Sequence, residues 1–438
     1  MSATASAVSN RARARPGRRR RRRLRSLIPR AASERARSAG AIVNDAKTPT
    51  DVLEAAAAIF LPSDTPADAA ARLAVGAARR RACSMALRRL AKLLVGVERE
   101  DARRACAATP AFGRLVEGAL CDEDVENGER EGNGEWLGET ARAIGSLAPF
   151  EMTVRAREDF RRAAAKTPLA ARHASAVSWA LERCGLEVPS EVETALRGIP
   201  FRFAPNLTRG LVDLETLRGE VAFRREKLTT RDGRRVDERR ETCWMGEPHV
   251  GSYAYSGKIM EPVPMVPCVE RVRDALEATT GERFDCCLIN LYPSETAACA
   301  WHTDPLMGTH YATDSIIVSI GETRRFSFRP LGSTDAEAHW VRAMDGDCIW
   351  MFANCQDEYE HCVMTAEGES NSAPRASIVF KRSLKRRSAP AKKKESIGGN
   401  RPSGRGGTGG GRSGGRGGRG NGRSGRSGRS GGRSERRK

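Results

Sequence analysis

The sequence predicts an α+β protein in which an all-helical region precedes a strand-rich sandwich or jelly roll. Residues 50–196 are rich in Ala, Leu and Arg, and their apolar residues recur at helical intervals. From residue 200 onward, short β-branched or aromatic runs alternate with Gly, Pro and Asp. Many short strands separated by turn residues favour a sandwich or jelly roll over a parallel doubly wound sheet. We therefore expect a helical domain at 49–197 and a strand-rich domain at 198–387.

The N-terminal segment, residues 1–48, is expected to be disordered. Its first 33 residues contain 11 Arg and no acidic residue. This composition is typical of an organelle transit peptide and equally of a nuclear import signal around residues 18–23. We expect an intracellular protein and favour the nucleus, with a chloroplast or mitochondrion as the alternative.

The helical region contains two apolar stripes that are expected to face a core. They are formed by Leu87, Leu90, Ala91 and Leu94, and by Ala176, Trp179, Ala180 and Arg183. Asp51 and Asp64 are candidate N-caps of the first helices. The segments SMALRRLAKLL, ETARAIGSLAP and SAVSWALERCG resemble one another, which indicates either degenerate helical repeats or simple core packing.

The strand-rich region contains five runs that are typical of β-strands, and we expect them to build one barrel-like core. These runs are FDCCLINLY, DSIIVSIG, RRFSFRP, DCIWMF and RASIVFK.

The C-terminal tail, residues 388–438, is expected to be disordered because it contains 18 Gly interleaved with Arg and Ser. Arg–Gly segments commonly contact nucleic acid, although a tail without a specific partner is the alternative. The chain has a formal net charge of +20, yet residues 34–380 alone are net −9. A general attraction to polyanions would therefore come from the ends of the chain.

The twelve cysteines include no CxxC pair, which predicts reduced thiols inside the cell. Cys348, Cys355 and Cys362 recur every seven residues beside His361, but this spacing fits no common structural zinc pattern. No stretch approaches the roughly 20 apolar residues that cross a bilayer. A transmembrane role is therefore excluded. Separately, we expect the protein to be a monomer.

Histidine and aspartate form a possible metal site in the strand-rich region. His302 and Asp304 form an HxD pair in WHTDP after one strand, and His361 follows a later pair of strands. Alternate residues of a strand share one face, so these groups could converge on one ion. Two imidazoles and one carboxylate on one side of Fe(II) leave positions open for a co-substrate and dioxygen.

Arg375, in the strand RASIVFKR, is expected to point into the barrel on the same face as Ser377. A buried guanidinium needs an anionic partner. The distal carboxylate of 2-oxoglutarate would satisfy it, and an internal salt bridge is the alternative.

These residues carry a resemblance to a known family. The stretch from Tyr253 to Arg382 resembles the catalytic core of the AlkB-type 2-oxoglutarate and Fe(II)-dependent dioxygenases. The matching segments, in family order, are YAYSG, PVPMVPCVERVRD, LINLY, WHTDP, SIIVSIGETRRFSFR, GDCIWMF, CQDEYEHCV and RASIVFK. The resemblance implies a double-stranded β-helix, with Fe(II), 2-oxoglutarate and dioxygen as cofactor and co-substrates.

The resemblance also assigns roles to residues. It implies iron ligands at His302, Asp304 and His361, and a 2-oxoglutarate clamp at Arg375. Further contacts to 2-oxoglutarate are implied for Asn290, Tyr292, Ser377 and Lys381. Contacts to the substrate are implied for Tyr255, Trp244, Arg239 and Arg240, although either aromatic could equally belong to the core.

The implied activity is oxidative demethylation of alkylated bases in DNA or RNA, as in alkylation repair. A base inside a duplex cannot reach such a site, so a flipped base or a single strand is implied. The chain departs from the best-known repair members at Lys381, Ser377 and Leu306, where those members carry Arg, Asn and an acidic residue. The preferred base is therefore not implied.

Three alternative functions follow from the sequence. One is the same chemistry on a protein side chain. Another is a nucleic-acid-binding protein with an inactive oxygenase core, and the third is an RNA-processing factor of an organelle that uses helical repeats.

Overall fold

The computed structural model describes residues 42–57, 69–121, 134–148, 151–230, 232–367 and 373–384. Helices and antiparallel sheets make up this part of the chain, which confirms the α+β class. Residues 1–41, Asp64 and the Arg–Gly tail lie outside the described residues, as do the expectations attached to them. The expected disorder up to residue 48 is wrong for its last part, because residues 42–45 are helical and Val43 is buried in the core of the helical region. Each helix within the described ranges is too short or too polar to span a bilayer.

Helix α1, Pro49–Ala57, follows a short helical segment at 42–45 and is capped by two reciprocal hydrogen bonds. Asp51 accepts one from the Thr48 backbone N–H at 3.0 Å, and Thr48 Oγ1 accepts one from the Asp51 N–H. Thr48 is therefore the N-cap and Asp51 lies inside the first turn, which corrects the expected cap at Asp51. The helices are α1 Pro49–Ala57, α2 Ala69–Leu93, α3 Glu100–Ala107, α4 Pro110–Leu120, α5 Glu135–Leu147, α6 Val154–Lys166, α7 Ala171–Arg183 and α8 Ser190–Ala195.

Both predicted stripes of the helical region are buried, on α2 and on α7. The three similar segments fall on α2, α5 and α7, and α5 packs against both of the others. The similarity thus coincides with three helices packed side by side, while a repeat origin stays a prediction.

Two antiparallel sheets form the strand-rich region, and all five predicted strands are confirmed. The six-stranded sheet has the order β1-β12-β9-β14-β7-β4, and the four-stranded sheet has the order β11-β10-β13-β8. The strands of the first are β1 Phe201–Ala204, β4 Glu241–Gly246, β7 Cys286–Tyr292, β9 Tyr311–Gly321, β12 Cys348–Met351 and β14 Arg375–Ser383. Those of the second are β8 Cys299–His302, β10 Arg324–Pro330, β11 His339–Ala343 and β13 Tyr359–Val363.

Two hairpin ribbons and three further helices complete the fold. The ribbons are β2 Lys227–Thr229 with β3 Arg235–Asp237, and β5 Tyr253–Tyr255 with β6 Lys258–Met260. The helices are α9 Leu214–Glu220, α10 Pro267–Thr280 and α11 Cys355–Glu358.

Alternation along the strands separates two apolar cores. One core lies between the two sheets and contains Leu288, Ile317 and Val379 from the larger sheet and Phe326 and Phe328 from the smaller. The opposite face of the larger sheet packs against α9 and α10. Arg375, Ser377 and Lys381 share the strand face of Val379, so they point toward the space between the sheets.

The helical region packs directly on the smaller sheet. Helix α7 lies against β11, where Ser175 Oγ is 2.7 Å from His339 Nδ1. Arg142 of α5 donates to the carbonyl of Trp340 at 3.2 Å, and its guanidinium lies 4.4 Å from that ring. Polar groups that are buried and paired at this contact fix the helices to the sheet.

This contact predicts acid sensitivity through His339. Burial, with Arg142 nearby, lowers the pKa of His339 to about 3 from 6.5. A lowered histidine pKa contributes stability above pH 6.5 that is lost as the pH falls toward the folded-state value. At pH 5 we expect this loss to reach about 2 kcal/mol of unfolding free energy. Urea unfolding at pH 7 and pH 5 measures it in the wild type and in His339→Gln. An equal pH dependence in both proteins would contradict the prediction.

Candidate metal and co-substrate site

Three potential ligands converge at one end of the space between the sheets. His302 ends β8 and pairs in register with His361 of β13, and Asp304 follows two residues later. One ligand atom from each lies within 4.8 Å of the other two. Asp304 Oδ1 is 3.6 Å from His302 Nε2 and 3.9 Å from His361 Nε2. Within the described residues, no other group of three such side chains could hold a metal.

The second carboxylate oxygen of Asp304 is neutralised from the opposite side. Lys381 Nζ donates to Asp304 Oδ2 at 2.5 Å, and the Lys381 side chain is fully buried. The Asp304 N–H donates to Gln356 Oε1 at 2.7 Å, which fixes the loop. Oδ1 is thereby left facing the two imidazoles, an arrangement that fits a divalent metal with nitrogen and oxygen ligands.

The charges of the site are strongly coupled. Burial raises the pKa of Asp304, but Lys381 and the histidines outweigh it and hold that pKa well below 3.8. Burial and the neighbouring His302 lower the pKa of His361 to about 3. Asp304 is therefore ionised and His361 neutral at pH 7, which are the forms that bind a metal. Burial lowers the pKa of His302, but Cys299 and Asp304 outweigh it and raise that pKa well above 6.5, so metal binding would displace a proton from His302.

Arg375 is a second buried cation on the strand face that carries Lys381. It lies on β14 between Tyr292 of β7 and Gly321 of β9, and it is 0% exposed. Its Nη2 donates to Ser319 Oγ at 2.8 Å, and the Tyr292 ring lies 5.1 Å from its guanidinium carbon. Nε and Nη1 donate to no acceptor in the described part of the chain. A buried guanidinium with two free donors fits a carboxylate ligand.

The remaining predicted co-substrate residues lie near Arg375 on the same sheet. Asn290 pairs with Ser377 across β7 and β14, and its Nδ2 donates to Ser377 Oγ at 3.4 Å. Asn290 Oδ1 is buried and accepts no hydrogen bond from the described residues. Lys381 contacts Asp304 and Met307 instead, so its expected contact to 2-oxoglutarate stays a prediction.

A second buried network holds Tyr255. Glu238, 3% exposed, accepts hydrogen bonds from the Tyr255 hydroxyl at 2.8 Å, Arg240 Nε at 2.8 Å and Lys258 Nζ at 2.7 Å. Arg240 Nη1 also donates to Cys299 Sγ at 2.8 Å, and that sulfur lies 3.6 Å from His302 Nδ1. The network therefore connects the β5–β6 ribbon to the metal site.

Three of the predicted substrate residues differ in exposure. Trp244 is 1% exposed, stacks on Tyr253 at 4.7 Å between ring centroids and donates to the Gly251 carbonyl. Its alternation on β4 places it on the face of the larger sheet that carries Leu288 and Asn290, where it packs in the core between the sheets. The substrate contact implied for Trp244 stays a prediction. Arg239 is exposed, and Tyr255 is half-buried.

Sequence reasoning missed Glu238, Lys258, Gln356 and Cys299. Each contributes through a contact 16 to 59 residues away along the chain, which no local pattern predicts. The possible zinc set at Cys348, Cys355 and Cys362 is not brought together as a metal site in the described residues.

Comparison with known proteins identifies relatives for this region. The model of the 2OG-Fe(II) oxygenase superfamily matches residues 209–391. An uncharacterized protein of Acanthamoeba polyphaga mimivirus is 32% identical over 166 residues, which cover 37% of this chain and 83% of that protein.

Two further relatives have named activities. Alpha-ketoglutarate-dependent dioxygenase alkB homolog 3 of Homo sapiens is 33% identical over 178 residues, 38% of this chain and 59% of that protein. DNA oxidative demethylase ALKBH2 of Bos taurus is 35% identical over 78 residues, 18% of this chain and 28% of that protein. The chain thus spans less than two thirds of each of these two relatives.

Proposed function

Because the chain belongs to the 2OG-Fe(II) oxygenase superfamily and is AlkB-like, we propose that it oxidatively demethylates alkylated bases in DNA or RNA. The enzyme is a 2-oxoglutarate- and Fe(II)-dependent dioxygenase, and Fe(II), 2-oxoglutarate and dioxygen are its cofactor and co-substrates. The chemistry rests on one observation above all. The His302, Asp304 and His361 ligand atoms meet at one end of a space in which Arg375 presents two free donors.

Each residue of the site has a proposed role. His302, Asp304 and His361 hold Fe(II), with Asp304 Oδ1 turned toward the metal because Lys381 holds Oδ2. Arg375 binds the distal carboxylate of 2-oxoglutarate, and Asn290 and Tyr292 line the same face. With Fe(II) and 2-oxoglutarate bound, the site would use dioxygen to convert 2-oxoglutarate to succinate and CO2 and to hydroxylate an N-methyl group, after which formaldehyde would leave the base.

We also propose an architecture for the strand-rich region and the helices that precede it. We take the two facing sheets as the walls of a double-stranded β-helix spanning the oxygenase domain at 198–387. The helices at 49–197 form a domain packed against it.

The substrate proposal rests on the named relatives and on the surface beside the site. The segment 224–240 contains eight Lys or Arg against four Asp or Glu, and the exposed basic residues suit contacts to phosphates. Tyr255 is held at the rim by Glu238, where a flipped base could stack on its ring. The Arg–Gly tail would add a salt-dependent tether.

The test is incubation of the full chain with Fe(II), 2-oxoglutarate and a panel of methylated DNA and RNA oligonucleotides, single- and double-stranded. Mass spectrometry should find at least one oligonucleotide lighter by one methylene, with formaldehyde and succinate formed in equal amounts. The matched control is Asp304→Asn, which should leave every oligonucleotide intact. Succinate formation without demethylation of any oligonucleotide would reject a nucleic-acid substrate and favour a protein side chain.

A further inference from the structure

A buried arginine of the helical domain reaches the sheet that carries Arg375. Arg183 ends α7, and its side chain is 2% exposed. Its Nη2 forms an ion pair with Asp347 Oδ2, and its Nη1 donates to Asn206 Oδ1 at 3.2 Å. Asp347 also accepts hydrogen bonds from the N–H groups of Asn206 and Met344, at 3.0 and 2.8 Å. Helix α7 is therefore tied to the turn between β11 and β12.

This turn has little freedom to move. Gly346 has φ +79°, and a Cβ there would lie 2.5 Å from Arg209 Cα, so the turn requires glycine. Thr208 donates to the Gly346 carbonyl with its N–H at 3.0 Å and its hydroxyl at 3.1 Å. A displacement of Asp347 would therefore move the turn as a unit.

The turn between β11 and β12 also holds Ser319 of β9. The Ser319 N–H donates to the Asp347 carbonyl at 2.8 Å, and the Ser319 carbonyl accepts from the Gly346 N–H at 2.9 Å. Ser319 Oγ accepts the 2.8 Å hydrogen bond from Arg375 Nη2. A continuous series of polar contacts thus connects Arg183 to the guanidinium of Arg375.

We infer that Arg183 is a positioning residue for the 2-oxoglutarate site, acting through Asp347 and Ser319 on the orientation of Arg375. The superfamily match begins at residue 209, so Arg183 lies outside it. On this inference the helical domain contributes to the geometry of the co-substrate site. The inference rests on the proposed role of Arg375 and is independent of the substrate that is demethylated. If the guanidinium of Arg375 is slightly displaced, the hydrogen bonds from both of its free donors to the co-substrate carboxylate become misaligned together.

Calorimetric titration of the full-length, Mn(II)-loaded protein with 2-oxoglutarate tests the inference without turnover. We expect Arg183→Met to weaken 2-oxoglutarate binding about tenfold, because Asp347 loses its charged partner and the turn shifts. The Kd for Mn(II) should not change. Arg183→Lys keeps the charge but loses the fork geometry, so it should restore part of the affinity.

Two controls separate positioning from general packing. Ser175→Ala removes another contact of α7, the hydrogen bond to His339, and should leave the affinity for 2-oxoglutarate unchanged. Arg375→Met should weaken 2-oxoglutarate binding about 100-fold. If it does not, the role of Arg375 is wrong, and the inference about Arg183 fails with it.

A folded Arg183→Met protein that binds 2-oxoglutarate as the wild type does would overturn the inference. If circular dichroism shows that Arg183→Met does not fold, Asp347→Asn replaces it. This variant removes the charge that Arg183 pairs with and keeps one side-chain oxygen, which can accept from either the Asn206 or the Met344 N–H group, since these donate to different oxygens of Asp347. Wild-type affinity in Asp347→Asn would then overturn the inference, and weakened affinity with unchanged Mn(II) binding would support it.

Discussion

Asp304→Asn is expected to lower iron-dependent turnover of 2-oxoglutarate by more than about 100-fold, since loss of even an outer partner of a metal ligand can cost 10–100-fold. An amide lacks the negative charge with which Asp304 Oδ1 faces the two imidazoles. The amide oxygen still offers an acceptor to Lys381, so the fold should be retained. Succinate release under saturating 2-oxoglutarate measures the effect.

The choice of Asn over Ala follows from the ion pair with Lys381. Lys381 is 0% exposed, and Asp304→Ala would leave its ammonium buried without a partner, which costs about 3–5 kcal/mol of stability. The double variant Asp304→Ala/Lys381→Met removes both charges and should also be inactive. Asp335→Asn, at a carboxylate that is 80% exposed, is the control and should keep wild-type turnover. Turnover within about tenfold of wild type in Asp304→Asn would exclude Asp304 as a ligand.

Arg375→Met is expected to raise the KM for 2-oxoglutarate about 100-fold, because a buried carboxylate loses charge-assisted hydrogen bonds from both free donors. The affinity for the metal should be unchanged, since Arg375 contacts none of the three ligands. Steady-state succinate formation over a range of 2-oxoglutarate concentrations measures the KM.

Arg382→Met is the matched control for Arg375, because Arg382 lies on the same strand with its side chain exposed. It should keep the wild-type KM. If Arg375→Met instead lowers kcat at an unchanged KM, the guanidinium does not bind the co-substrate, and another anion must occupy its free donors.

Local patterns predicted much of the fold and of the site. The five strands were recognisable because β-branched runs are bounded by turn residues, and the burial of Leu87 and Trp179 follows from helical spacing. The HxD pair brings His302 and Asp304 together through two residues of chain, and antiparallel pairing places His361 opposite His302.

Other features depended on packing between distant segments. The Lys381–Asp304 ion pair joins residues 77 apart, and the Arg183–Asp347 pair joins residues 164 apart. Hydrophobic periodicity does not reveal such pairs, because each partner fits only the pattern of its own strand or helix.

The central claim is that His302, Asp304 and His361 bind one Fe(II), with 2-oxoglutarate held between it and Arg375. Electron paramagnetic resonance with Mn(II) as a substitute for Fe(II) tests this claim most directly, because free and bound Mn(II) give distinct signals. The account predicts one Mn(II) per chain, displaced by Fe(II), bound more tightly when 2-oxoglutarate is added, and absent in Asp304→Asn. Failure of the wild type to bind Mn(II), or equal binding in the wild type and Asp304→Asn, would contradict it.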